Sequence, residues 1–294
     1  MSYARIGVVT GANKGIGYAT VRQLALQYPK SPLNAGPLLI YLGARDSSRG
    51  QDAVAKLTTE DPALRQAKVL RADGGATDIK FHQIDVSDSP SIQRFADFLK
   101  KEHPDGIDFV INNAGIAMDG FNPHVVKTTL RCNYHGMLEC TRAFIPLLRP
   151  SGGRIVNLGS VVGLLNKYSP SIRDRFLHAQ SVDDITALMD DFTATVERGR
   201  EKEEGWPSAA YAVSKTGAIG MTLQIAAELK RAGGKEGVLV NACCPGWVVT
   251  DLTKGKGHKT PDQGAQTPVM LAIGEIGGKS GAFWEEGREI SWVG

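Results

Sequence analysis

Apolar runs recur along the chain, and most are followed by a stretch of helical periodicity. The first, 5-RIGVVT-10, leads through GANKGIG into an amphipathic helix predicted from about Ile16 to Tyr28. A second strand, 38-LLIYLGA-44, precedes a helix around 48–58, and 79-IKFHQID-85 reads as the third strand. Ser89-Pro90 then predicts a helix start, with Ser as N-cap and Pro at the first helical position; Phe95, Phe98 and Leu99 form its apolar face. Strands follow at 107-IDFVIN-112 and, after a long helical region, at 154-RIVNLG-159. The helix around 208-SAAYAVSK-215 leads to 237-GVLVNAC-243, and 281-GAFW-284 is a candidate final strand. Continuous apolar strands alternating with helices predict an α/β doubly wound parallel sheet of about seven strands, covered on both faces.

Two stretches interrupt that alternation. Residues 29–37 and 65–78 are polar and predict surface loops or a short hairpin. Residues 161–207 form an insertion of 47 residues before the tyrosine helix. Within it, Ile185, Leu188, Met189, Phe192 and Val196 recur at helical spacing and predict a helix with a buried face. Ser181 and Asp184 have the spacing of a capping box. The whole chain, 1–294, is expected to be one domain carrying this insertion.

Composition narrows the function classes. The chain is 42% hydrophobic and its net charge is +3 from 34 basic and 31 acidic residues, without a polybasic run, so nucleic-acid and membrane-surface binding are not expected. No apolar run reaches the length of a membrane span, and MSYARIGVVT enters a strand directly, without the pattern of a secretory leader. Cys132, Cys140, Cys243 and Cys244 lack CxxC or Cys/His spacing, so reduced thiols in the cytoplasm are expected. The six histidines show no ligand spacing, and no metal site is expected.

The candidate chemistry lies at the ends of the strands. Gly11, Gly15 and Gly17 of TGANKGIG sit between a strand and a helix, where glycine admits a phosphate to the backbone and the helix N-terminus attracts it. At the end of the second strand, Arg45 and Arg49 stand where an NAD-binding protein carries an acid; with Lys14 they suit a 2′-phosphate and hence NADPH. Asp46 keeps NAD open as the alternative. Tyr211 and Lys215 lie one helical turn apart, which alone is weak evidence.

Order makes the pattern specific. TGxxxGxG, Asp85-Val86 after the third strand, 112-NNAG-115, Ser160 after the fifth strand, YxxxK and 245-PGWVVT-250 follow in register over essentially the whole chain. This series resembles the short-chain dehydrogenase/reductase family. The stretches 43-GARDSSRGQ-51, 205-GWPSAAYAVSK-215 and 241-NACCPGWVVTD-251, with the insertion, resemble its monomeric NADPH-dependent carbonyl reductases. The resemblance implies a Rossmann-type fold and a catalytic set of Ser160, Tyr211 and Lys215, completed by Asn133 in 131-RCNYHG-136. It implies cofactor contacts from Asn13, Ile16, Asp85, Val86, Asn112, Ala114, Gly115, Pro245, Gly246, Val248 and Thr250, and from Tyr211 and Lys215 themselves. It departs from the pattern at Gly159, where mammalian members usually have serine, and at Val161-Val162-Gly163.

Carbonyl reduction needs a hydride and a proton for the developing alkoxide. Lys215 is expected to lower the Tyr211 pKa and to hydrogen-bond the nicotinamide ribose, making Tyr211 the general acid. Ser160 would donate to the same oxygen. Asn133 would hold a water linking Lys215 to solvent, against the plainer reading of an ordinary helix asparagine. Trp247 is open between substrate cleft and core, and Cys244 between reactive and inert thiol. The resemblance implies tetramers for most members through the tyrosine helix and its neighbour; residues 161–207 are placed to cover that face, so a monomer is expected. The expected substrates are small carbonyl compounds: aromatic aldehydes, diketones, quinones and keto esters. The competing functions are an NAD-linked alcohol or hydroxysteroid dehydrogenase and a non-catalytic NADP-binding sensor. A sugar epimerase fits the glycine spacing poorly.

Overall fold

In strand β1 (Arg5–Val9), Ile6 and Val8 join one core layer and Val9 the other, so the strand is clothed on both sides. The computed structural model describes residues 3–233 and 237–294. After β1 come α1 (Gly15–Gln27), β2 (Leu38–Ala44), α2 (Ser47–Ala55), α3 (Pro62–Ala67) and β3 (Thr77–Gln83). The second half runs α4 (Ser89–Glu102), β4 (Phe109–Asn112), α5 (Pro123–Leu130), α6 (Met137–Phe144) and β5 (Arg154–Leu158). Helices α7 (Pro170–His178), α8 (Val182–Glu197) and α9 (Ala210–Arg231) precede β6 (Leu239–Cys244). Helices α10 (Pro261–Gly264) and α11 (Gln266–Ile273) lead to β7 (Phe283–Glu285) and β8 (Arg288–Ile290).

The sheet order is β3-β2-β1-β4-β5-β6-β7-β8, parallel except for the last pair. The winding reverses between β1 and β4, and ligands of such sheets bind beyond the strand ends at that switch point. The expected doubly wound sheet is therefore present, with eight strands rather than about seven. Strand β8 is three residues long and mostly exposed, so it carries no apolar run to betray it. At α4 the N-cap is Asp88, not Ser89: its carboxylate accepts from the Ser91 amide at 3.1 Å, while Ser89 and Pro90 are already helical. Helix α2 continues through a π turn at 56–60, and α3 forms part of the stretch read as loop. The third strand spans Thr77–Gln83, two residues earlier than expected, leaving Asp85-Val86 in the following turn.

The insertion holds two helices where the sequence predicts one. Helix α8 carries the predicted capping box between Ser181 and Asp184, and Ile185, Leu188, Met189, Phe192 and Val196 are all buried. It lies against α9 at two glycines. A Cβ built on Gly217 would sit 2.5 Å from the Met189 sulfur, and one on Gly220 3.0 Å from Ile185 Cδ1. Glu228 of α9 accepts the Val182 amide at 2.9 Å, tying the start of α8 to the same helix. Helix α9 is consequently buried without a break from Val213 to Thr222.

Phe192 is fully buried, with its ring 5.2 Å from that of Trp206. Phe192→Ala is expected to lower the unfolding free energy in urea by about 3–5 kcal/mol. Leu177→Ala, on the 45% exposed Leu177, should change it by no more than about 0.5 kcal/mol. Equal effects would mean that the insertion is not part of the core.

Candidate active site

The turn after β1 has the left-handed conformations that its glycines permit: φ is 63° at Gly11 and 58° at Gly15. Gly17 lies so close to the turn that a Cβ there would meet the Gly11 carbonyl at 2.4 Å and the Asn113 amide nitrogen at 2.5 Å. Thr10 Oγ1 accepts from the backbone of Asn113 and Ala114, each at 3.1 Å. Asn113 Nδ2 donates to the carbonyls of Thr10 and Gly11 at 2.9 and 3.0 Å. Asn113 thus stitches the β4 end to the glycine turn, a role missed in the sequence although it stands within NNAG. Helix α1 starts at Gly15 with no side chain capping it and no acid in its first turn. Its first amides are left as donors for an anion, which is what a dinucleotide pyrophosphate requires.

Arg45 and Arg49 are both exposed at the end of β2, with carboxylates of Asp85 and Asp46 only at 4.0 Å. Asp46 caps α2 by accepting the Arg49 amide at 2.9 Å. One oxygen of the acid that kept NAD open is therefore engaged by its own helix, and the two guanidinium groups stand exposed beside it. Asp85 accepts from the Ser87 amide and hydroxyl at 2.9 and 2.6 Å, and Val86 beside it is buried. The structure does not bring Asn112 to the cleft by its side chain: the amide donates to Asn157 Oδ1 at 2.8 Å and Thr141 Oγ1 at 3.1 Å, inside the core.

Ser160 caps a 3₁₀ turn, Val161–Gly163, and its hydroxyl accepts the Val162 amide at 3.4 Å. That turn is pressed onto α9: a Cβ on Gly163 would lie 2.7 Å from the carbonyl carbon of Lys215. Lys215 is 4% exposed and donates to the Leu158 carbonyl at 2.7 Å, with its ammonium 5.6 Å from the Tyr211 ring centre. Burial lowers the Lys215 pKa to about 8. Burial also raises Tyr211 to about 12, with the Cys244 thiol beside it adding to the rise. This corrects the expectation that Lys215 depresses the phenol in the free protein. Burial of the phenol governs its pKa in the chain alone, and the Lys215 amine is turned to Leu158. Tyr211 is accordingly held as a protonated acid throughout the neutral range.

Asn133 lies in a π turn, Arg131–Gly136, between α5 and α6, and is fully buried. Its Oδ1 accepts the Ile116 amide at 2.8 Å, and its Nδ2 donates to the Ile116 carbonyl at 2.8 Å and to Ser214 Oγ at 3.1 Å. Both amide donors are used, and one Oδ1 lone pair remains. A Cβ on Gly115 would stand 3.3 Å from that Oδ1 and 3.7 Å from Lys215 Nζ, so Gly115 is the close neighbour of both. An isolated π turn at such a place leaves no periodic signal in the sequence.

The segment after β6 closes the arrangement. Thr250 approaches the Cβ position of Gly15 at 3.4 Å, and Lys14 pairs with Asp251. Gly246 has φ 84° and Val248 is buried. Trp247 is 55% exposed, which removes the core alternative. Lys254 reaches Asp119 at 2.7 Å, linking this segment to the loop after β4. Cys244 is buried and its thiol pKa is pushed up to about 11, chiefly by desolvation, an environment that disfavours a reactive thiolate. Asn13 and Ile16 lie on the glycine turn, Ala114 against Gly11, and Pro245 at the end of β6. Among the described residues no group of three His, Cys, Asp or Glu side chains forms a metal cluster, and no helix is long and apolar enough to cross a membrane.

Comparison with known proteins identifies relatives of the whole chain. The family model described as short chain dehydrogenase matches residues 45–171 and 197–261, leaving out the part of the insertion that holds most of α7 and α8. The chain is 36% identical over 300 residues to the carbonyl reductase [NADPH] 1 of Sus scrofa, covering 99% of this chain and 95% of that protein. It is 35% identical over 297 residues to the Homo sapiens protein of the same name, covering 98% of each. Among solved structures, salutaridine reductase from Papaver somniferum superposes with a TM-score of 0.78 at 26% identity, over 95% of this chain and 99% of that one. The menthone neomenthol reductase from Mentha piperita gives 0.74 at 25% identity, over 97% and 99%.

The buried lysine has a measurable consequence. Its folded pKa of about 8 lies below the usual 10.5, so between these values the unfolded chain binds the extra proton. The contribution of Lys215 to stability therefore rises with pH through that window. Tyr211, raised from 10.0 to about 12, acts in the opposite sense, its contribution falling above pH 10. Between pH 8 and 9.5, urea unfolding of the native chain should gain free energy relative to Lys215→Met. Parallel curves for the two proteins would refute the buried-lysine assignment.

Proposed function

The chain belongs to the short-chain dehydrogenase/reductase family, and from that premise we propose that it is an NADPH-dependent carbonyl reductase acting on small aldehydes and ketones. The observation that carries this reading is the Ser160 turn pressed onto α9 at Lys215, one helical turn from the protonated phenol of Tyr211. Aromatic aldehydes, diketones, quinones and keto esters are the substrate classes we infer for it. The uncapped start of α1, with Gly11, Gly15 and Gly17, holds the pyrophosphate. Arg45, Arg49 and Lys14 take the 2′-phosphate.

Bound NADPH supplies the hydride for the carbonyl carbon. Tyr211 gives its hydroxyl proton to the carbonyl oxygen as charge develops there. Ser160 donates a hydrogen bond to that oxygen, favouring the charged state over the ground state. Lys215, fixed by Leu158, presents a mostly protonated amine near neutral pH and so can return a proton toward Tyr211. Asn133 holds the loop after β4 beside Lys215 and offers its remaining Oδ1 lone pair to a water on the path to solvent. Positive charge near the phenol, on Lys215 or on the oxidised cofactor, draws the Tyr211 pKa back down and makes the reverse reaction accessible.

One assay tests the reading: loss of reduced-nicotinamide absorbance with a panel of these carbonyls, NADPH and NADH side by side. The native chain should consume NADPH in preference to NADH. Tyr211→Phe should lose on the order of 10²–10⁴ in turnover while binding NADPH as before. Arg45→Ala with Arg49→Ala should raise the KM for NADPH by roughly tenfold or more and leave NADH almost unaffected. Retained turnover in Tyr211→Phe, or NADPH binding with no carbonyl reduced, would sink it and favour a sensor.

We further infer a single catalytic unit that acts as a monomer in the cytoplasm. Helix α8 seats Met189 and Ile185 on Gly217 and Gly220 of α9, the helix through which relatives of this family are expected to pair. All four cysteines are buried and unpaired, in keeping with a reducing compartment, a placement that cell fractionation tests. Light scattering should give a mass near 31.5 kDa; a tetramer would overturn the monomer.

A further inference from the structure

Trp292, in the segment that follows β8, crosses back to the turn that Ser160 caps. Its indole Nε1 donates to the Gly163 carbonyl at 3.1 Å, and its own carbonyl accepts the Leu165 amide at 3.0 Å. The half-buried ring lies over Gly220 of α9, where an added Cβ would meet ring carbon Cη2 at 2.9 Å. Phe176 of α7 meets it edge to face, with centres 5.9 Å apart at 77°. Gly163 is thus clamped on two sides: the Lys215 backbone behind it and the Trp292 indole on its carbonyl.

These contacts place one side chain against both parts of the site, the Ser160 turn and α9. Ser160 is three residues before Gly163 and its carbonyl accepts the Gly163 amide at 2.9 Å, so a shift of Gly163 moves the serine. The same ring rests on the helix that carries Tyr211 and Lys215. We propose that Trp292 is a positioning residue for carbonyl reduction: it holds the 161–163 turn against α9 and so sets Ser160 relative to Tyr211. The inference rests on the reading of Ser160 and Tyr211 given above. These contacts of Trp292 are to the Ser160 turn, α7 and α9, none to the glycine turn or the two arginines, so its loss should spare cofactor binding. Small displacements of a reacting constellation are costly, and a loss of about tenfold in kcat is expected when the hydrogen bond goes.

The test is a cycle of variants assayed with NADPH and an aromatic 1,2-diketone such as phenanthrenequinone. Trp292→Phe keeps a ring over Gly220 but removes the donor. It should lower kcat by about tenfold with an unchanged NADPH Kd. Trp292→His, which keeps a ring N–H at smaller volume, should retain more turnover than Trp292→Phe. In a Ser160→Ala background, Trp292→Phe should cost nothing further, because its effect passes through the serine. A native kcat in Trp292→Phe, the reverse order for the histidine variant, or an equal fall in the Ser160→Ala background would each overturn the proposal. Unaltered turnover in Ser160→Ala alone would instead remove the assignment of Ser160, and this inference with it.

Discussion

A lysine taken out of water is the constraint around which the structure is arranged. Lys215 has one hydrogen bond in the described structure, to the Leu158 carbonyl, and burial has drawn its pKa down to about 8. Keeping an amine there requires the middle of α9, from Val213 to Thr222, to be covered, since an open face there would admit water to it. The sheet supplies one wall, where Asn157 Nδ2 donates to Thr222 Oγ1 of α9 at 2.9 Å while Asn157 Oδ1 accepts from Asn112. The π turn around Asn133 supplies a second, and α8 with the Trp292 segment the remainder. Glycines at 163, 217 and 220 are the places where these walls come into contact with α9. Most polar contacts inside are paired, as low-dielectric packing demands, while Asn112 Oδ1, Thr129 Oγ1 and Trp206 Nε1 are among the buried atoms with no hydrogen-bond partner among the described residues.

Much of this was legible in the sequence because it is local. The β2 run, 38–44, is a strand over those same residues, since seven consecutive apolar or small positions cannot sit half-exposed in a sheet covered on both faces. The capping box at Ser181 and Asp184 needs only three residues of separation, and so could be read directly. What escaped was set by contacts far apart in the chain or by competition between neighbours. Asp88 and Ser89 both cap helices well, and only geometry shows that the carboxylate takes the Ser91 amide. Asn113 stitches the glycine turn across about a hundred residues, and Trp292 reaches Gly163 across 129. Neither contact leaves a periodic trace.

The electrostatics of the pair show a further limit of reading by spacing. Four residues of separation place Tyr211 and Lys215 on one helix face, and from that alone the ammonium should depress the phenol. Depth in the protein reverses the sign: both groups lose hydration, so both shift toward their neutral forms. A neutral phenol is the form that carbonyl reduction consumes.

The cations at the cofactor end are held on opposite terms. Lys14 pairs with Asp251 and Arg45 approaches Asp85, but all of these except the half-buried Asp85 are open to solvent. Exposed pairs of this kind contribute little to folding and are readily exchanged. A phosphate offers each cation a doubly charged partner and, for arginine, a fork of oxygens matched to the guanidinium. Release of Asp251 and Asp85 is therefore a small cost against that gain. Asp46 has no such freedom, because leaving the Arg49 amide would uncap α2. The site thus separates its two tasks by depth. On the proposed reading, recognition of the nucleotide would rest on exposed surface charge that costs little to rearrange, while the chemistry would rest on a buried amine and phenol whose surroundings cannot rearrange without opening the middle of α9 to water.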